Sequence, residues 1–233
     1  MLVELSHYVL VLAFVIALIQ GVVPLFGIWR GKNGLTEIVR PAARLQFILL
    51  LFAFAGLSYA FVTDNFSVRY VAEHSNTSLP LYYKFSAVWS AHEGSLLLWA
   101  LILSMWGFAV SELSRTLPKL FVARVLAVMG LLAAGFLLFT LATSNPFERL
   151  FPAPIDGRDL NPLLQDPGLT IHPPMIYMGY VGFSVAFAFA VAALLGGKLD
   201  QTWARWVRPW TLIAWVFLTL GIGLGSIALL RHR

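Results

Sequence analysis

Of the 233 residues, 59% are hydrophobic and only 12% are charged, with a formal net charge of +5. A water-soluble domain carries about 25% charged residues, so this apolar surface is not all meant for a water-soluble core. No cysteine is present, which excludes disulfides, cysteine-ligated metals and thiol chemistry by this chain.

The charges leave long gaps. None falls between Glu4 and Arg30, Arg44 and Asp64, Glu93 and Glu112, Arg124 and Glu148, Asp166 and Lys198, or Arg208 and Arg231. Each gap holds an apolar run near the ~20 residues that a helix needs to cross hydrocarbon. The expected fold class is all-α: a polytopic membrane protein with six transmembrane helices, at about residues 5–29, 44–63, 94–111, 122–143, 175–196 and 209–230 of a single domain, 1–233. A β-barrel is excluded, because its strands alternate apolar and polar residues.

In chain order, no Lys or Arg precedes the first span, which is also too long for the apolar core of a cleaved signal. Gln20 and Pro24 within it predict a helix–helix hydrogen bond or a kink. His7 at its end is expected to be solvent-facing or locally bonded, as is His74 further on. The first long loop, 64–93, ends in SLPLYYKFSAVWSAHEGSLLLW. There Leu81, Phe85, Val88, Trp89 and His92 share one helical face, predicting a short surface helix with Pro80 in its first turn. His92 and Glu93 then lead into the third span. They read either as a ligand and its orienting carboxylate or, more simply, as hydrogen bonding that locks the loop to the bundle.

The second long loop, 144–174, contains Asp156-Gly157 and Asp166-Pro167-Gly168, both read as turns. His172 follows, just before Pro173 and Pro174. A residue before proline is biased away from the helical region, so His172 is expected in the loop, above a helix whose first turn holds both prolines. On a stiff stem beside a helix N-terminus, the imidazole is biased toward its neutral, metal-binding form. From these residues alone, a histidine bonded to loop backbone is an equal reading. In the sixth span, Gly221, Gly223 and Gly225 suit close helix approach; with no preceding strand they are not a nucleotide fingerprint.

Ten of the 16 lysines and arginines lie in the short connections, at residues 30–44, 115–124 and 198–208, and six in the long loops and the Arg-His-Arg tail around His232. The positive-inside rule places the short connections in the cytoplasm, with the long loops and both termini outside. Apart from His7, Arg44 and Arg124 at their ends, the spans contain no His, Asp, Glu, Lys or Arg, which argues against an ion-coupled transporter.

Two stretches carry a family resemblance. WSAHEGSLLLW (89–99) and DGRDLNPLLQDPGLTIHPPMIYMGYVGFS (156–184) resemble the two hallmarks of the cytochrome c-type biogenesis protein CcmF family. The resemblance, over nearly the whole chain, implies heme handling in c-type cytochrome maturation: heme received from a periplasmic chaperone and joined to apocytochrome c, beside thiol-handling maturation proteins. It implies that His172 is a periplasmic axial ligand to the iron of a transient b-type heme. His92, Glu93, Trp89, Pro173 and Pro174 would support that site. The implied location is the bacterial inner membrane, or the mitochondrial inner membrane as alternative, with lipid and no nucleic acid as partner. After Gly225-Ser226 the family continues into a tryptophan-rich heme platform, whereas this chain reads IALLRHR. It is therefore expected to be the N-terminal part of a heme lyase, needing a C-terminal half and not catalytic alone. A structural assembly subunit is the competing reading.

Overall fold

The computed structural model describes residues 1–197 and 201–231; Lys198, Asp200, His232 and Arg233 lie outside the described residues. In chain order the helices are α1 (Leu2–Trp29), α2 (Val39–Val62), α3 (Arg69–His74), α4 (Leu81–Ala87), α5 (His92–Leu113), α6 (Lys119–Thr143), α7 (Pro167–Leu195) and α8 (Gln201–Arg231). Six of them are long and apolar enough to cross a membrane, so the chain is an all-α, multi-pass protein. The short α3 and α4 lie in the first long loop; α4 starts where a surface helix is expected, with Pro80 as its N-cap, but ends at Ala87, so Val88 and Trp89 lie beyond it and His92 opens α5 instead.

α5 and α6 form the centre, and α7 packs on both, with α8 against α7. In lipid the apolar side chains gain little by leaving their solvent, so helix contact depends on close packing and on small residues. α1 and α6 meet at Gly21 and Gly130, where a Cβ on Gly130 would lie 2.9 Å from the Gly21 nitrogen. Gln20, only 1% exposed, donates through Nε2 to the Leu126 carbonyl at 2.8 Å, the helix–helix bond its place in an apolar span requires. α7 and α8 are joined by glycines on both sides: Gly179 and Gly182 on α7 face Leu218 and Ala214, and Gly221 on α8 faces Ile176.

The two long loops, the start of α1 and the last turns of α8 gather at one end of the bundle. Glu4 in the first turn of α1 pairs with Arg149 of the second long loop, and the start of α7 lies against Gly221 and Gly225 near the end of α8. At the opposite, short-loop end, Arg40 donates to the Ser111 and Ser114 carbonyls at the C-terminus of α5, where a cation also suits the helix dipole.

Candidate functional site

α7 begins at Pro167, not at Met175. The Asp166-Pro167-Gly168 triad, expected to be a turn, is a helix start. The Asp166 carboxylate accepts the amides of Gly168 at 2.8 Å and Leu169 at 3.0 Å, the capping that satisfies otherwise orphaned donors, and Pro167 stands where its missing N–H costs nothing. Consequently His172 lies in the second turn of α7 rather than in the loop, and Pro173 and Pro174 are inside the helix. The helix dipole fades beyond the first turn, so the imidazole lies outside the reach of the helix N-terminus.

Two prolines inside a helix deprive the carbonyls four residues earlier of their donors, here Leu169 and Thr170. Membrane helices tolerate this when a neighbour supplies the bond. The Trp89 indole does so, donating from Nε1 to the Thr170 carbonyl at 3.2 Å. The residues WSAHEG around it are fixed in turn by Tyr70, whose hydroxyl accepts the Ala91 amide at 3.1 Å and lies 3.2 Å from the Ala87 and Val88 carbonyls. Burial pushes the Tyr70 phenol above its ordinary range. Gly94 has no room for a side chain: a Cβ there would run into the Val88 carbonyl and the Tyr70 hydroxyl.

The His172 ring turns toward α8. Its Nδ1 lies 2.8 Å from the Gly221 carbonyl, and the ring rests over Gly225. The residue is partly exposed, and its Nε2 has no hydrogen-bond partner among the described residues. The other described histidines are likewise each held through one ring nitrogen. His92, the first residue of α5, bonds through Nδ1 to the Ser144 hydroxyl at 2.9 Å and meets the Phe139 ring edge-on, tying α5 to the end of α6. His7 Nε2 lies 3.1 Å from Asn145 Nδ2, beside Phe147, and His74 bonds the Tyr70 carbonyl at 3.0 Å. Glu93 stands next to His92 in the first turn of α5.

The loops around this site form one cap. Backbone bonds join Arg69 to Glu148 and Leu150 to Ser67, both at 2.9 Å, and Arg158 to Ala72 at 2.8 Å. Asp156 accepts the amide and hydroxyl of Thr77 at 3.0 and 2.9 Å; these bonds, with that of the Gly157 amide, hold its carboxyl below the ordinary aspartate range. Asn76 donates to Asp159, and the Tyr83 hydroxyl to the Gln165 carbonyl at 2.7 Å. Lys84, 7% exposed, is neutralised by Asp64 at 2.5 Å.

What His172 can offer a metal is one imidazole nitrogen, Nε2. No group of three or more His, Cys, Asp or Glu side chains that could hold a metal ion occurs among the described residues. His172 therefore offers a metal one donor and not a complete coordination sphere. The sequence reading missed the partners: the Thr170 carbonyl for Trp89, the Ser144 hydroxyl for His92 and the Gly221 carbonyl for His172. Only the glycines left a trace in the sequence, and of the three, Gly223 meets nothing within 4 Å.

This architecture defines a multi-pass α-helical membrane protein with a cross-bonded loop cap at one end. A family model described as cytochrome C assembly protein matches residues 89–227. The chain belongs to this family and, within it, to the CcmF group. It is 65% identical over 227 residues to the cytochrome c-type biogenesis protein CcmF of Pseudomonas aeruginosa, covering 97% of this chain and 35% of that protein. It is 58% identical over 227 residues to CcmF of Escherichia coli, again covering 97% of this chain and 35% of the relative. A solved structure titled cytochrome c heme lyase CcmF superposes with a TM-score of 0.81 at 30% identity, over 95% of this chain and 35% of that one. The chain thus spans about one third of the length of these relatives.

Proposed function

We propose that the chain is part of a CcmF-like cytochrome c heme lyase that acts in c-type cytochrome maturation, with its long-loop end facing the periplasm of a bacterial inner membrane. His172 presents Nε2 to the iron of an incoming heme as one axial ligand, and residues outside this chain complete the other side. The heme is the cargo, and what it brings to this site is an iron with a coordination position for a nitrogen donor. Trp89, Pro173 and Pro174 shape the turn of α7 that carries His172, while His92 and Glu93 anchor the neighbouring helix start. The remaining two thirds of the lyase, a heme chaperone, thiol-handling proteins and apocytochrome c are the partners.

The observation that supports this best is the partly exposed imidazole at the loop-cap end, one nitrogen engaged by backbone and the other bare. The excess of cations in the short connections supports the orientation. The test is to produce the chain with the rest of a CcmF protein and follow cytochrome c maturation. His172→Ala lowers maturation while helix content and membrane insertion persist; unchanged maturation refutes the ligand role. The cross-bonded cap also suits a docking face of a purely structural assembly subunit. That reading gains if maturation fails on disrupting the cap at Thr77 and Asp156 yet survives His172→Ala.

A further inference from the structure

His172 reaches the Gly221 carbonyl through a gap in the side of α8. Within an α-helix that carbonyl already accepts the amide four residues on, which belongs to Gly225. A Cβ on Gly225 would cover the approach: it would lie 2.5 Å from His172 Nδ1 and 3.0 Å from Nε2. Gly223, two positions earlier, has open space where its Cβ would stand. A carbonyl oxygen has two lone pairs and accepts only, so it can take both the helical bond and the bond from the ring. It follows that Nδ1 is the nitrogen that carries the proton, which leaves the lone pair of the neutral ring on Nε2.

We infer that the Gly221–Gly225 turn of α8 is the positioning element for His172. The Gly221 carbonyl selects the Nδ1–H tautomer, and Gly225 has to be glycine because the ring occupies the space of its missing Cβ. The functional part rests on the reading of His172 as an iron ligand. A carbonyl that accepts from the far nitrogen of a metal-bound histidine fixes the ring orientation and raises the basicity of the ligating nitrogen. Here the far nitrogen is held before any iron arrives, so the donor atom is aimed in advance. The loops do not aim it; a separate membrane helix does.

The chain labelled with 15N-histidine, in bilayers and without heme, provides the test. His172→Gln identifies the His172 signals by their loss. The wild type is expected to show a protonated Nδ1 and an unprotonated Nε2 at His172. Gly223→Ala leaves those signals in place. Gly225→Ala shifts them toward a mixture of tautomers while the His74 and His92 signals stay, and it weakens ferric heme binding by about tenfold or more. A wild-type His172 protonated on Nε2 overturns the inference, as does a Gly225→Ala spectrum identical to wild type. If Gly225→Ala loosens the whole α7–α8 pair, the wild-type tautomer alone decides. The two readings fail separately. A correct tautomer and glycine response with heme binding untouched by His172→Gln keeps the positioning element and removes the iron ligand. Heme binding lost on His172→Gln with Gly225→Ala silent does the reverse.

Discussion

The Trp89 indole donates to the Thr170 carbonyl, the acceptor that Pro174 leaves without a helical partner. The first residue of WSAHEGSLLLW thus repairs a helix defect made by a proline of the 156–184 stretch, and the two sequence hallmarks become one structural unit around His172.

Removing the donor should orphan that carbonyl. Trp89→Phe, which keeps an aromatic ring, is expected to destabilise the bundle by about 1–3 kcal/mol, read from reversible unfolding in mixed micelles. In a Pro174→Ala background the helix recovers its own donor for Thr170, so the same replacement should cost about 1 kcal/mol less. Strictly additive costs would mean that the indole does not serve this carbonyl.

His92→Phe removes the bond to Ser144 but leaves an aromatic ring beside Phe139. The expected loss is about 1 kcal/mol of stability, with the heme spectrum of the chain unchanged. A lost or shifted heme band in this variant would assign His92 to coordination instead.

The loop cap carries its own pH dependence. Asp156 has its folded pKa lowered by the Thr77 and Gly157 bonds. The unfolded chain therefore binds the proton more readily, so the clasp contributes fully above the ordinary aspartate pKa of ~3.9 and is lost as pH falls through the lower, folded value. Hydrogen exchange at the Thr77 amide should stay slow at neutral pH and accelerate only in acid below that ordinary range. Thr77→Val, which deletes the hydroxyl bond, should move the onset to higher pH; an onset that does not move would exclude Thr77 as its cause.

α7 and α8 test the glycine packing away from the histidine. At Gly179 a Cβ would lie 2.5 Å from the Leu218 Cα, backbone that cannot step aside, so Gly179→Val should separate the helices and lower the unfolding midpoint. Gly223→Ala, with open space around it, should be neutral or stabilising by up to about 1 kcal/mol through helix propensity. Equal losses at both sites would contradict the assignment of faces.

The six spans were legible because hydrocarbon thickness sets a length that apolar runs must meet, and Gln20 announced its helix–helix bond because an amide in such a run needs a partner. The start of α7 was not legible. Asp166-Pro167-Gly168 spells a turn and an N-cap with proline at N1 equally well, and the bias against helix before Pro173 is a local rule. What outweighs it is an indole at Trp89, far back in the chain, and the α8 backbone beyond Gly221. His172 was picked out by its residue type and neighbours, but the direction of its ring depends on which face of α8 meets α7. Three glycines in five residues left that face undetermined, and the structure puts Gly221 and Gly225 on it and Gly223 off it.

The central claim is that His172 Nε2 binds iron, and the most direct measurement is a ferric heme titration of the purified chain followed by its Soret absorption. The account predicts a nitrogen-ligated band in the wild type that disappears in His172→Ala and returns when free imidazole is added. An identical band in wild type and His172→Ala, with no response to imidazole, would contradict it.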